Sequence, residues 1–216
     1  MERIGCLNDG VFAEFGVGDG TENNTLILKA LGWKGFWVGA QDLAFEVKQP
    51  NATFTFTKEW ITLDNITALA AEGLKNLGCN GIDVLSLDLD GNDLYLVEAL
   101  LKAGHVPKLL VVEYNAKFIP PVKWQIDYDP GHTWQCDDYF GASLASFDEL
   151  FRRYRYRLVC CNSQTGSNAF FVRDKYSQAF ADVPTEIADI YVPPNYFPLP
   201  WIGHRPNLKT IARLFS

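Results

Sequence analysis

The 216-residue chain reads as one α/β domain, a mostly parallel seven-stranded sheet with helices on both faces and a C-terminal antiparallel hairpin. Three observations lead there. Short apolar runs rich in β-branched and aromatic residues alternate with stretches whose apolar positions recur at helical spacing. The first run, Val11-Phe12-Ala13-Glu14-Phe15, breaks into Gly16-Val17-Gly18-Asp19-Gly20, which reads as a strand, a glycine-spaced turn and then a helix. No Pro/Gly/Ser-rich linker, internal repeat or low-complexity segment divides the chain, and 48% hydrophobic against 21% charged residues supply a sizeable core.

The helix after the first strand is expected from about Glu22 to Leu31, and Gly32-Trp33-Lys34-Gly35 ends it. Phe36-Trp37-Val38 restarts the chain as a second strand, followed by Gly39-Ala40-Gln41 and Asp42. Ala52 to Thr57 alternates as a third, edge strand. Thr62 or Asp64 is expected to cap the next helix, whose Ile66, Leu69, Ala70, Leu74 and Leu77 share one face before Gly78 stops it. Ile82 to Asp88 is a fourth strand that delivers Asp88, Asp90, Asn92 and Asp93 at its end, and a helix runs from Asp93 to Ala103. Lys108 to Asn115 is a fifth strand ending in Glu113, Tyr114 and Asn115.

Residues 118–140 carry prolines and aromatics without periodicity and read as a loop over the active face. Ser146-Phe147-Asp148-Glu149 has capping-box spacing and is expected to open a short helix. Arg157 to Cys161 and Ala169 to Val172 make the hairpin, and the tail over 174–216 is expected to wrap the surface before a last helix. Ligands of such sheets bind beyond the carboxyl ends of the strands, where strand order reverses, so the polar clusters after strands one, four and five converge on one crevice.

The glycine turn narrows the ligand. Dinucleotide folds seat a pyrophosphate with G-x-G-x-x-G, whereas this turn is G-x-G-x-G with Glu14 before it and Asp19 inside it. Two carboxylates repel a pyrophosphate but suit an ammonium, a sulfonium or ribose hydroxyls, the three features that S-adenosylmethionine combines. The alternative at this point is a glycine-rich surface turn with no ligand.

Composition excludes other classes. A net charge of −7 argues against nucleic acid and anionic membrane as partners and favours a small-molecule or glycan acceptor. Five cysteines with no C-x-x-C indicate neither a disulfide framework nor a zinc knuckle, and no signal peptide or membrane-length apolar run is present, so a cytoplasmic protein is expected. The N-x-T triplets at Asn23, Asn51 and Asn65 are then coincidental. Residues 1–10 leave no room for an N-terminal helix closing over the cofactor. That lid is missing or comes from elsewhere, and a homo-oligomer whose partner chain supplies it fits.

The motifs carry a resemblance. Phe12 to Gly20 with Glu22 to Thr25, Gly32 to Gly35, Ile82 to Asp93, Glu113 to Asn115, Asp138 to Leu144 and Asn168 to Arg173 resemble class I S-adenosylmethionine-dependent methyltransferases, and more closely the FkbM-like group. The resemblance covers 11–173, a Rossmann-like core. It implies that Glu14, Gly16, Gly18, Asp19 and Gly20 surround the methionine part of the cofactor, with Asn24 and Thr25 on the helix behind and Asp88 in contact with it. The end of the second strand is implied to meet the ribose, but similar sequences place an acid where this one has Gly39. Either Gln41 or Asp42 substitutes, or cofactor binding is weaker, or catalysis has been lost and the chain is a non-catalytic binding protein.

Methyl transfer needs an acceptor held in line with the sulfonium and a base for its proton. The candidates are Asp88, Asp90 and Glu113, with His132 from the loop. Asp88, Asp90, Glu113 and Asn115 also form an oxygen-rich set suited to Mg²⁺, the plainer reading being that the aspartates contact the cofactor while Asp93 caps its helix. Trp124, Tyr128, Trp134 and Tyr139 are either a sugar-stacking wall or anchors of the loop. The reach of His204, far along the tail, is left open.

Overall fold

In a computed structural model, which describes residues 1–48, 52–195 and 215, seven strands form one sheet. They are β1 (Val11–Phe15), β2 (Lys34–Gly39), β3 (Phe54–Lys58), β4 (Val84–Leu87), β5 (Leu109–Glu113), β6 (Tyr156–Cys161) and β7 (Asn168–Arg173). The order is β3-β2-β1-β4-β5-β7-β6, with the first five strands parallel and β7 antiparallel to both β5 and β6. This is the architecture that the sequence predicts. The order reverses at β1, which has β2 on one side and β4 on the other, so a crevice opens there beyond the strand ends.

Strand alternation sorts side chains onto two faces. Ala13, Phe15, Leu85, Leu87, Leu110 and Val112 share a buried cluster with α2 (Ile66–Asn76), α3 (Asp93–Lys102) and α4 (Leu144–Arg153). Phe12, Val84 and Val111 belong to the opposite cluster, with Trp37 and Phe54, covered by Leu28 of α1 (Leu26–Ala30) and the ring of Phe215. Helices lie on both faces, as expected, but one face holds the three longer ones. In β1, β4 and β5 the alternation puts Glu14, Ser86 and Glu113 on the α1 face, near the carboxyl ends.

Four expectations on boundaries are corrected. The first helix begins at Leu26 rather than Glu22, because the backbone N–H groups of Asn24 and Thr25 turn sideways to the Glu14 carboxylate instead of entering a helix. The second is not capped by Thr62 or Asp64. Asn65 stands at the cap position and folds its amide back, accepting from Thr62 N at 2.8 Å and donating to the Trp60 carbonyl at 2.7 Å. Asp93 does not cap α3 but accepts from Leu89 N and Gly91 N, tying down the turn before it. The fourth helix begins at Leu144, where Ser143 Oγ accepts from Ser146 N and from Trp124 N; Ser146 is the third residue of that motif, not its cap.

Residues 118–140 cross the strand ends as a fastened loop. Asn92 donates to the Asp129 carbonyl and accepts from Asp129 N, Trp60 Nε1 donates to the Pro130 carbonyl, and Leu63 N donates to the Tyr128 hydroxyl. The described part of the tail has 3₁₀ turns at Asp174–Phe180 and Ile187–Asp189. The expected last helix, His204 and Asn51 lie outside the described residues. No helix among the described residues is long and apolar enough to cross a membrane.

Candidate active site

The glycine turn is held against the neighbouring strand. Gly16 adopts φ +95°, and a Cβ on it would sit 1.8 Å from the Asp88 carbonyl oxygen. Gly18, at φ +53°, has open space around it. The turn and the strand ends enclose two adjoining compartments, of about 310 and 840 Å³, that share Gly16, Gly18, Gln41, Asp88, Asp90 and Trp134. Such volumes suit a cofactor-sized ligand.

The smaller compartment has a partly apolar wall, with Ile61, Leu89, Leu96, Trp60 and Trp134, and includes Gly39, Glu59 and His132. The larger is polar and includes Asp19, Asn23, Asn24, Glu113 and Asn168. No lysine or arginine lines either among the described residues.

A row of polar side chains forms the floor. Leu87 pairs with Val112 in the β4–β5 register, so one further step brings Asp88 beside Glu113, and Glu113 pairs directly with Asn168 of β7. Oxygen atoms of Asp88, Asp90 and Glu113 lie within 4.8 Å of one another. Burial and the neighbouring Asp93, Asp90 and Glu14 push the Asp88 carboxyl up to about 8. The same causes, burial first and then Asp88, raise Glu113 well above the usual carboxylate range. Burial raises Asp90 as well, offset by the imidazole of His132. Glu113 Oε2, His132 Nε2 and Asn168 Oδ1 are buried without a hydrogen bond among the described residues. This floor is short of donors and cations, and it fits an occupant that brings them.

Several expected site residues stand elsewhere. Glu14, 2% exposed, does not line the cavity. Its two oxygens accept from Asn24 N at 2.8 Å, Thr25 N at 3.0 Å and the Thr25 hydroxyl, so it anchors the turn from behind. Thr25 also accepts from Trp37 Nε1 and lies behind the wall, as does Gly20, where a Cβ would meet Leu43 at 2.8 Å. Asp19 faces the larger compartment but accepts from both the N–H and the hydroxyl of Thr21. Asn115 does not join the carboxylates. Its amide donates to the Asp138 and Phe140 carbonyls and accepts from Lys117 N, all of it spent in fixing the loop.

Asp42 is turned away in an exposed ion pair with Lys58 at 2.6 Å, leaving Gln41 as the nearer polar group beside Gly39. Of the four loop aromatics, Trp134 lines the cavity. Trp124 stacks on Phe118 at 4.2 Å, Tyr139 meets Trp124 edge-on and Tyr128 packs against Tyr95, so these three anchor the loop.

No family model matches this chain, and no curated protein matches it. Among solved structures it is similar to a chain of a fibrillarin/Nop5p complex, with a TM-score of 0.39 and 10% identity over 77% of this chain and 73% of that one. The fold class rests on the strand order and directions given above.

Glu59 and Asn168 were not among the expected site residues. Asn168 was legible, since the period of two along β7 sets it on the face of Phe170, opposite Ala169 and Phe171. Glu59 had no such signal, because its place depends on β3 lying parallel to β2.

Proposed function

We propose that this chain is an S-adenosylmethionine-dependent methyltransferase, FkbM-like in its motifs, acting on a hydroxyl of a glycan, a nucleotide sugar or a secondary metabolite. The observation that carries the reading is the convergence of the glycine turn with the half-buried carboxylates Asp88 and Glu113 and the buried Asn168 on a cavity whose described lining has no basic residue. A sulfonium and an ammonium supply the positive charge and the donors this floor lacks. The cysteine pattern and the absence of a membrane-length helix among the described residues agree with a cytoplasmic enzyme.

When bound, S-adenosylmethionine would supply an electrophilic methyl group to an acceptor hydroxyl oxygen held in line with it. The hydroxyl proton passes to a carboxylate. Asp88 and Glu113 are placed for that role, with Asp90 and His132 beside them, and the positive charge of a bound cofactor would favour the ionised form that burial and mutual repulsion oppose. Gly16, Gly18 and Asn24 hold the cofactor, and the loop over 118–140 excludes water.

Asp88, Asp90 and Glu113 also have the oxygen chemistry and spacing of a hard-cation site, and they would hold Mg²⁺. Bound there, the ion would clamp acceptor oxygens and make an acceptor hydroxyl more acidic. Gly39, with no carboxyl to offer a ribose, favours a second reading, a non-catalytic binding protein on the same fold.

Titration calorimetry with S-adenosylmethionine and S-adenosylhomocysteine, with and without Mg²⁺, separates these. Micromolar affinity for both supports the cofactor site, and a gain with Mg²⁺ supports the metal. Lack of binding in both buffers rules out the cofactor. Binding without turnover on any acceptor of a glycan and nucleotide-sugar panel favours the non-catalytic reading.

A further inference from the structure

Nucleotide-binding parallel sheets commonly meet a ribose with an acid at the end of the second strand. Here that position is Gly39, and it has no room for one: a Cβ would lie 2.9 Å from Val17 Cγ2 and 3.3 Å from Val17 N. The adjacent strand ends level with it. Gly39 pairs with Lys58 in the β2–β3 register, and Glu59 N donates to the Gly39 carbonyl at 2.9 Å, so the first residue past β3 stands beside the missing acid.

The Glu59 side chain lines the smaller compartment together with Gly39 and Gln41. One carboxylate oxygen, Oε1, accepts from Trp60 N at 2.9 Å, which fixes the group's orientation; Oε2 accepts no hydrogen bond among the described residues. The other nearby acid, Asp42, is engaged by Lys58 outside the cavity.

We infer that Glu59 has taken over the ribose-binding role, its carboxylate accepting hydrogen bonds from the vicinal 2′- and 3′-hydroxyls of the nucleoside cofactor in place of the acid that Gly39 lacks. The inference rests on the cofactor reading above. It also removes the main argument for a decayed site, because an acid stands just past the end of the neighbouring strand. A carboxylate accepting from a diol makes charge-assisted bonds, each shorter and stronger than a neutral one.

The test is calorimetric titration of the full chain with S-adenosylhomocysteine and its 2′-deoxy and 3′-deoxy analogues, for the wild type and for Glu59→Ala, Glu59→Gln and Asp42→Ala, with thermal melts to verify folding. The wild type is expected to prefer the ribose form over either deoxy analogue by about tenfold or more. Glu59→Ala is expected to weaken the ribose form by a similar factor and to bind all three ligands alike. Glu59→Gln retains an acceptor and falls between, and Asp42→Ala behaves as wild type.

Equal weakening of all three ligands by Glu59→Ala, with discrimination intact, overturns the assignment and leaves the cofactor site standing. So does undiminished affinity in that variant. A wild type that binds none of the three overturns the nucleoside site itself, and Glu59's role with it.

Discussion

At the scale of single residues, the carboxylates of this chain divide by what their oxygens meet. Glu14 satisfies two backbone N–H groups and a hydroxyl at the start of α1, in the dry interior, so removing it strands three donors. Glu14→Ala is expected to lower unfolding free energy by about 2–4 kcal/mol in urea melts, with Glu14→Gln losing less because its carbonyl still accepts. An unchanged midpoint for the alanine variant would refute the anchoring role. Glu14 read as ligand-facing because an acid preceding a glycine turn suits a cofactor. What sets it behind the wall is the turning of the Asn24 and Thr25 N–H groups onto its carboxylate, which the alternation of β1 does not show, since Glu113 on the same face lines the cavity. Nothing local foretold the long-range partners of Asn115, the Asp138 and Phe140 carbonyls at the far end of the long loop.

Secondary elements meet the site through two fittings, the glycine turn and the fastened loop. At Gly16 the close approach of the Asp88 carbonyl and the positive φ both forbid a side chain, whereas Gly18 has the φ constraint alone. Gly16→Ala is therefore expected to abolish S-adenosylhomocysteine binding and to destabilise by about 3 kcal/mol or more, and Gly18→Ala to cost about 1–2 kcal/mol. Equal effects in chemical denaturation would mean that the β1–β4 contact is not the constraint. The loop is held by the reciprocal Asn92–Asp129 pair and by Trp60. In Asn92→Ala, amide hydrogen exchange over residues 126–132 is expected to quicken at least tenfold, with the sheet unaffected. The glycine spacing was plain in the sequence. The fastenings were not, because each joins segments far apart in the chain.

For the molecule as a whole, the mostly parallel seven-stranded sheet, its closing antiparallel hairpin and a crevice beyond the strand ends were legible, since they follow from alternating periodicities and connection rules. What the periodicity could not supply was the lateral neighbour of each strand end, and Glu59 enters by that route. The buried acids couple the whole fold to pH. Asp88 titrates at about 8 and Asp93 at about 6 in the folded chain, both above their unfolded values near 4. Between those limits these two groups bind more protons in the folded state than in the unfolded state, so their contribution to stability is fullest below the unfolded value and is lost as pH rises toward 8. In chelator-containing buffer the melting temperature is expected to fall from pH 5 to pH 8. Asp88→Asn is expected to flatten that slope and to melt higher than wild type at pH 8. A wild-type profile rising over this range would contradict the buried-acid account.

The indoles give the cavity a second use. Trp60 and Trp134 stand in its wall, each about half exposed and each fixed by its N–H to a loop carbonyl, while Trp33 and Trp37 are sealed in the core and Trp124 is covered by Phe118. A ligand entering the smaller compartment replaces water around those two rings and leaves the other three indoles among the described residues in unchanged surroundings. The protein thus has a built-in optical sensor, and its emission should shift to the blue as the compartment fills, in an unlabelled sample and at each step of a titration.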